Sequence, residues 1–203
     1  MGGSAFTRTL KVEFEIKEKY MSISTITQMS TLDDSTKVKA LSTAEIRLLT
    51  ETQVKDLTAT QIEQLDEEDF LTLSQTQIGY IAPDTLADGL LAPDSSRIYS
   101  SAKFTTSQVK GLTQEQLAAF TSDHLPYFNT LDISKLSGDQ LNSFQDSVLS
   151  AFSSDQLQAL TTTQISALTD AKFAALSNDS IEHLTTNQVK ALQGTKLDYL
   201  GTI

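Results

Sequence analysis

Residues 160–192 read LTTTQISALTDAKFAALSNDSIEHLTTNQVKAL, in which Leu160, Leu168, Leu176, Leu184 and Leu192 recur every eighth residue. Within each octad the sixth position is again apolar: Ile165, Phe173, Ile181 and Val189. Working outward, the same period runs back to Phe104 and, beyond an irregular stretch, covers Leu41 to Asp88, giving eighteen octads in all. Position one is Leu, Ile or Phe throughout, and position six is Ile, Val, Leu or Phe. Periodicity of this kind is the signature of an array, each unit too small to bury its apolar face alone.

A continuous α-helix does not fit the period. At about 100° per residue, eight residues turn a helix by roughly 800°, so an apolar stripe would drift by about 80° per octad. A β-solenoid keeps each position on a fixed face but points positions one and six to opposite sides of the strand. The Thr-rich composition keeps that β-solenoid as the alternative fold.

One short helix per octad accounts for more positions. Position two is Ser or Thr in thirteen octads, and position five is Gln in nine: Gln53, Gln61, Gln77, Gln108, Gln116, Gln140, Gln156, Gln164 and Gln188. Ser/Thr followed three residues later by Gln is a capping box, and it makes positions one and six the two halves of a hydrophobic staple. Position four then falls at N2, where Glu68, Asp84, Glu115, Asp123, Asp139, Asp155 and Asp179 meet the positive end of the helix. Pro83 falls at N1, where a missing N–H is harmless. Pro126 sits at position seven and predicts an irregular octad from Phe120. The octad FQDSVLSA, residues 144–151, lacks both capping partners and is expected to depart from regular helix geometry. The sequence thus predicts a mainly α fold, a solenoid of short capped helices stacked around an elongated core.

The expected organisation is an N-terminal segment 1–20, a lead-in 21–40, and the solenoid 41–203 with an irregular insertion at 89–103. That insertion reads either as a bulge from one continuous array or as a hinge between two blocks. In the N-terminal segment Leu10, Val12, Phe14 and Ile16 alternate with Lys11, Glu13, Glu15 and Lys17, a β-strand pattern. It reads as an edge strand on its own body or, because a lone strand needs a partner for its backbone groups, as a strand that joins subunits. A third reading takes Met21 as the natural start, with the preceding residues an appended extension.

The composition limits the chemistry. With 15 Lys+Arg against 26 Asp+Glu the net charge is −11, which offers no basic footprint for nucleic acid. There is no Cys, and the two His, His124 and His183, are far apart in sequence, so neither catalysis nor a metal centre is expected. His124 occupies a Gln position of the repeat and His183 a solvent-side position; both read as structural. The acidic run Asp66, Glu67, Glu68 and Asp69 lacks the alternating ligands and Gly of a calcium loop and reads as an acidic first turn. No Gly-rich phosphate loop, apolar membrane span or signal peptide is read, and no cofactor is expected.

The tandem L-[ST]-x-x-Q-[ILV]-x-[AS] units over residues 41–200 resemble octapeptide arrays of large bacterial secreted, surface or filament-forming proteins. That resemblance implies structural or adhesive use. With one unpaired amphipathic strand beside a long regular array, the expectation is a non-enzymatic structural protein self-associating into a homo-oligomer or filament. The acidic, Cys-free, Ser-, Thr- and Gln-rich composition points to an extracellular or cell-surface location reached by signal-less export. A monomeric adhesive or protein-binding scaffold, holding a protein or surface partner, is the alternative; cytoplasmic residence stays open.

Overall fold

The computed structural model describes residues 41–90 and 104–200. Over these residues the chain forms seventeen α-helices and one 3₁₀ helix, one for each of the eighteen octads. The described residues hold no strand, which removes the β-solenoid alternative for the array. The strand expected at Leu10, Val12, Phe14 and Ile16 lies outside the described residues.

Most helices start as the capping box dictates. In the helix Thr162–Ala167, the N-cap Thr161 is extended (φ −70, ψ 160), its hydroxyl accepts the N–H of Gln164, and Leu168 is again extended (φ −55, ψ 136). Here two residues, the first and second of the next octad, separate one helix from the next; in other repeats, such as that ending at Leu48, an additional αR residue precedes them. All nine position-five glutamines close a capping box. Pro83 opens its helix, Pro83–Leu90, which runs on through Gly89 and Leu90, so the first two residues of the expected insertion are helical. The octad with Pro126 is the 3₁₀ helix, Ser122–Tyr127, as an imide nitrogen at position seven requires. The octad without capping partners still folds, as Asp146–Ser150: Gln145 takes the extended N-cap backbone without a side-chain cap, and Val148 in place of Gln is fully buried.

Positions one and six form the core. Ile165, Phe173, Leu168 and Leu176 are 0, 0, 2 and 3% exposed, and the pattern holds from Ile46 to Leu176. Helices so short are not stable singly, so packing must hold them. The packing is between layers: Thr43–Arg47 lies on Glu67–Thr72, Glu51–Lys55 on Gln75–Tyr80, and Gly138–Ser143 on Thr162–Ala167, each three octads apart. Phe104, Phe128, Phe144 and Phe152 add a chain of ring contacts at 5.3 to 6.0 Å between centroids.

The layers continue across the irregular stretch. Gln75–Tyr80 packs on Thr106–Gly111, and Pro83–Leu90 packs on Gln114–Ala119. Two glycines permit this closeness: a Cβ on Gly111 would stand 2.1 Å from the Gln75 carbonyl oxygen, and one on Gly79 would stand 2.9 Å from the Gly111 carbonyl oxygen.

Candidate functional site: the amide slot

The most regular polar feature of the described residues is position five, whose side chain lies inside the stack. Gln164 shows its geometry. Its Oε1 accepts the Thr161 N–H at 2.7 Å, completing its own capping box. Its Nε2 donates to the main-chain carbonyls of Ile133 and Leu136 at 2.8 and 2.7 Å. These carbonyls belong to positions 31 and 28 residues earlier, in the layer below. One side chain thus caps a helix and ties it to the previous layer, donating to buried carbonyls near the end of a helix there.

The arrangement repeats. Gln77 binds Ile46 and Leu49; Gln140 binds Val109 and Leu112; Gln156 binds Leu125 and Phe128; Gln188 binds Leu157 and Leu160. All are 31 and 28 residues apart, which fixes one turn of the solenoid at between three and four octads. Gln108, bonded to Phe70 and Leu73, and Gln116, bonded to Ile78 and Ile81, span 38 and 35 residues instead. The difference, 38 − 31 = 7, is the change of register between slots whose partners lie across 89–103 and slots whose partners do not.

Other residue types fill the same slot by imitating parts of the amide. His124 is stacked on Phe120 with centroids 4.6 Å apart; its Nδ1 accepts the Thr121 N–H at 2.9 Å, and its Nε2 stands 3.1 Å from the Ala87 carbonyl. That pattern requires a neutral ring carrying its proton on Nε2, a heteroaromatic equivalent of glutamine. Burial depresses its pKa below the usual value, against the opposing effect of its backbone partners and of Asp123 and Asp88. Lys172 reaches the Phe144 carbonyl at 2.6 Å and the Asp146 carboxylate at 2.7 Å, and Lys196 reaches the Ser166 carbonyl at 2.6 Å. Asp132 reproduces only the acceptor half of the amide. Its Oδ2 accepts the Asn129 N–H at 3.2 Å, while Oδ1 is buried without a hydrogen-bond partner. Burial raises its pKa.

The acidic run proves to be an N-terminal cap. Asp66 accepts the Asp69 N–H at 2.9 Å, and Asp69 sits in the amide slot with its pKa raised by burial and by Asp66 and Glu68. Glu67 and Glu68 line a shallow depression with Arg47, Leu71 and Thr72. Among the described residues no group of three or more His, Asp or Glu converges on a metal-sized site, and no helix is long and apolar enough to cross a membrane. His183 is exposed, at the C-terminal end of Asn178–Glu182.

The capping role of position five is legible in the sequence, whereas its interlayer role emerges only from the structure. A signal for it is nonetheless present: a capping box is completed by Glu as well as by Gln, yet position five is Gln nine times and Glu once, at Glu45. Only the amide offers a donor for a second partner.

The described chain is an α-solenoid of capped octads held layer to layer by side-chain amides. No protein-family model matches it, and neither the curated proteins nor the solved structures include one significantly similar to it.

Proposed function

We propose that this chain is a non-enzymatic structural protein, a self-assembling subunit of a bacterial extracellular filament or surface layer. The observation that supports this most is the use of the amide slot: the buried polar side chains tie backbone to backbone between layers, as a stiff, regular body requires. The net charge of −11 keeps such a body soluble and disfavours indiscriminate lateral contact. In this reading the alternating segment Leu10, Val12, Phe14 and Ile16 joins one subunit to the next by strand addition. Light scattering and negative-stain electron microscopy of the full chain, beside a variant lacking residues 1–20, test it. Concentration-dependent assembly that disappears with the deletion is expected; unchanged assembly removes the joining role.

A monomeric adhesive or protein-binding scaffold is the second reading. It is favoured by the isolation of the large exposed apolar side chains Leu48 and Leu131 among the described residues between Leu41 and Ala191. A single monomeric species at high concentration selects this reading over the first.

A further inference from the structure

Two successive octads place a buried ionisable group in the amide slot: His124 is 2% exposed and Asp132 1%. The first is anchored to Pro83–Leu90 by two contacts, His124 Nε2 at the Ala87 carbonyl and the Tyr127 hydroxyl, which donates to the Leu90 carbonyl at 2.5 Å. The second, Asp132, lacks the amide donor that Gln140 and Gln164 each bring to a carbonyl 28 residues earlier. A carboxylate has no donor to bring, and its Oδ1 is the buried atom left without a partner.

We infer that these two octads form a pH-responsive joint, in which protonation of His124 and ionisation of Asp132 each loosen their own octad from the layer beneath. Protonated His124 loses the acceptor that caps the Thr121 N–H. Ionised Asp132 places an unpaired charge in the interior, whereas its acid form supplies a donor at Oδ1.

The surrounding charges do not cancel this. Around His124 stand Asp123 on its own helix, Asp84 and Asp88 on Pro83–Leu90, Asp146 on Asp146–Ser150 and Asp155 on Ser154–Gln158, all exposed, with Asp146 neutralised by Lys172. Tyr127 is the remaining titratable neighbour, its ring centroid 6.2 Å from that of His124, and burial raises its own pKa. Burial outweighs Asp123 and Asp88 in setting the direction for His124. The helix of Asp132, Thr130–Ile133, packs on Thr106–Gly111 and Ser154–Gln158, whose Lys110 and Asp155 are exposed, as is Lys135 beyond its end.

The two groups act with opposite signs. A histidine with a depressed folded pKa contributes stability that is complete above its ordinary 6.5 and is lost as the pH falls below it. An aspartate with a raised folded pKa contributes stability that is complete below its ordinary 3.8 and is lost as the pH rises through the folded value.

Hydrogen–deuterium exchange of the full chain between about pH 3 and pH 8, corrected for intrinsic exchange, tests the joint. In the wild type, protection of the Thr121 amide falls about tenfold per pH unit below 6.5, down to the folded pKa of His124. Protection of the Asn129 amide falls with the same steepness as the pH rises from 3.8 toward the folded pKa of Asp132. His124→Gln and Asp132→Gln, which install the residue of the regular octads, abolish their respective slopes. Flat wild-type profiles, slopes that survive these substitutions, or equal slopes at the distant Ile165 amide would overturn the proposal.

Discussion

The Nε2 of Gln164 donates to the carbonyl of Leu136 at 2.7 Å across 28 residues of sequence, while its Oε1 holds the N-cap Thr161. The same side chain therefore belongs to a local motif and to a long-range one, and the two can be separated by substitution. Gln164→Glu keeps the acceptor that closes the box but removes the interlayer donor, leaving a buried carboxylate facing two carbonyls. Gln164→Ala removes both. Each is expected to cost about 2–4 kcal/mol, from roughly 1–3 kcal/mol per buried group left unpaired. Thr161→Ala should cost about 1 kcal/mol, the usual value of a lost cap. Urea denaturation of the three variants checks this; if Gln164→Glu matched wild type, the interlayer bonds would carry no weight.

Leu160 tests the staple. It is 4% exposed, and its carbonyl accepts the amide of Gln188 at 2.7 Å, so its side chain and its backbone both face the interior. Leu160→Ala is expected to cost about 2–5 kcal/mol through the cavity it opens. Leu160→Asp should be worse, because it adds a buried charge with no partner. Far-ultraviolet circular dichroism during thermal unfolding measures both; equal effects of Leu160→Asp and Thr161→Ala would contradict the assignment of position one to the core.

Asp69 is a slot in which the carboxylate is disfavoured. Its pKa is raised by burial, then by Asp66 and Glu68, so its proton-linked contribution is full below the ordinary 3.8 and declines as the pH rises through the folded value. Asp69→Gln restores the usual slot residue and removes one of the run of carboxylates Asp66 to Asp69. At pH 7 it should raise stability by about 1 kcal/mol, the typical net value of a hydrogen bond, with a smaller gain at pH 4. A gain that does not depend on pH would assign the effect to packing instead.

The local half of this architecture is legible in the sequence because capping is a short-range affair. A hydroxyl at position two, Gln at position five and apolar residues at positions one and six interact within a single octad, so the spacing alone places a helix in each. Pro126 likewise announces its distorted octad. The number of octads per turn is not legible, since it depends on how Gln140 meets Val109 and Leu112, and no local rule fixes that angle. The octad of Val148 shows the converse. It carries no box, yet its neighbours above and below impose the helix, a tertiary override of missing local signals. His124 is structural, as its place in the repeat indicates, but its equivalence to glutamine emerges only when both ring nitrogens are seen with their partners.

Glycines offer the sharpest check on the layer spacing. A Cβ at Gly111 would meet the Gln75 carbonyl oxygen at 2.1 Å and the Gln75 carbonyl carbon at 2.8 Å, both backbone atoms that cannot swing aside. Gly111→Ala should therefore push apart the helices Gln75–Tyr80 and Thr106–Gly111, at about 1–3 kcal/mol or more, despite alanine's better helix propensity of roughly 1 kcal/mol. Gly194 is the control. Its Cβ would meet nothing within 4 Å, but its φ of +60 is a left-handed conformation that a side chain disfavours by roughly 1–2 kcal/mol. Gly194→Ala should thus fray only the final helix, Thr195–Leu200, without loosening the layers. Hydrogen exchange resolved by residue separates the two: Gly111→Ala lowers protection on both sides of the 89–103 stretch, whereas Gly194→Ala acts beyond Leu192 alone. A Gly111→Ala protein as protected as wild type across Ile78 and Val109 would mean that the Gly111 and Gln75 backbones stand further apart than a Cβ contact of 2.1 Å implies.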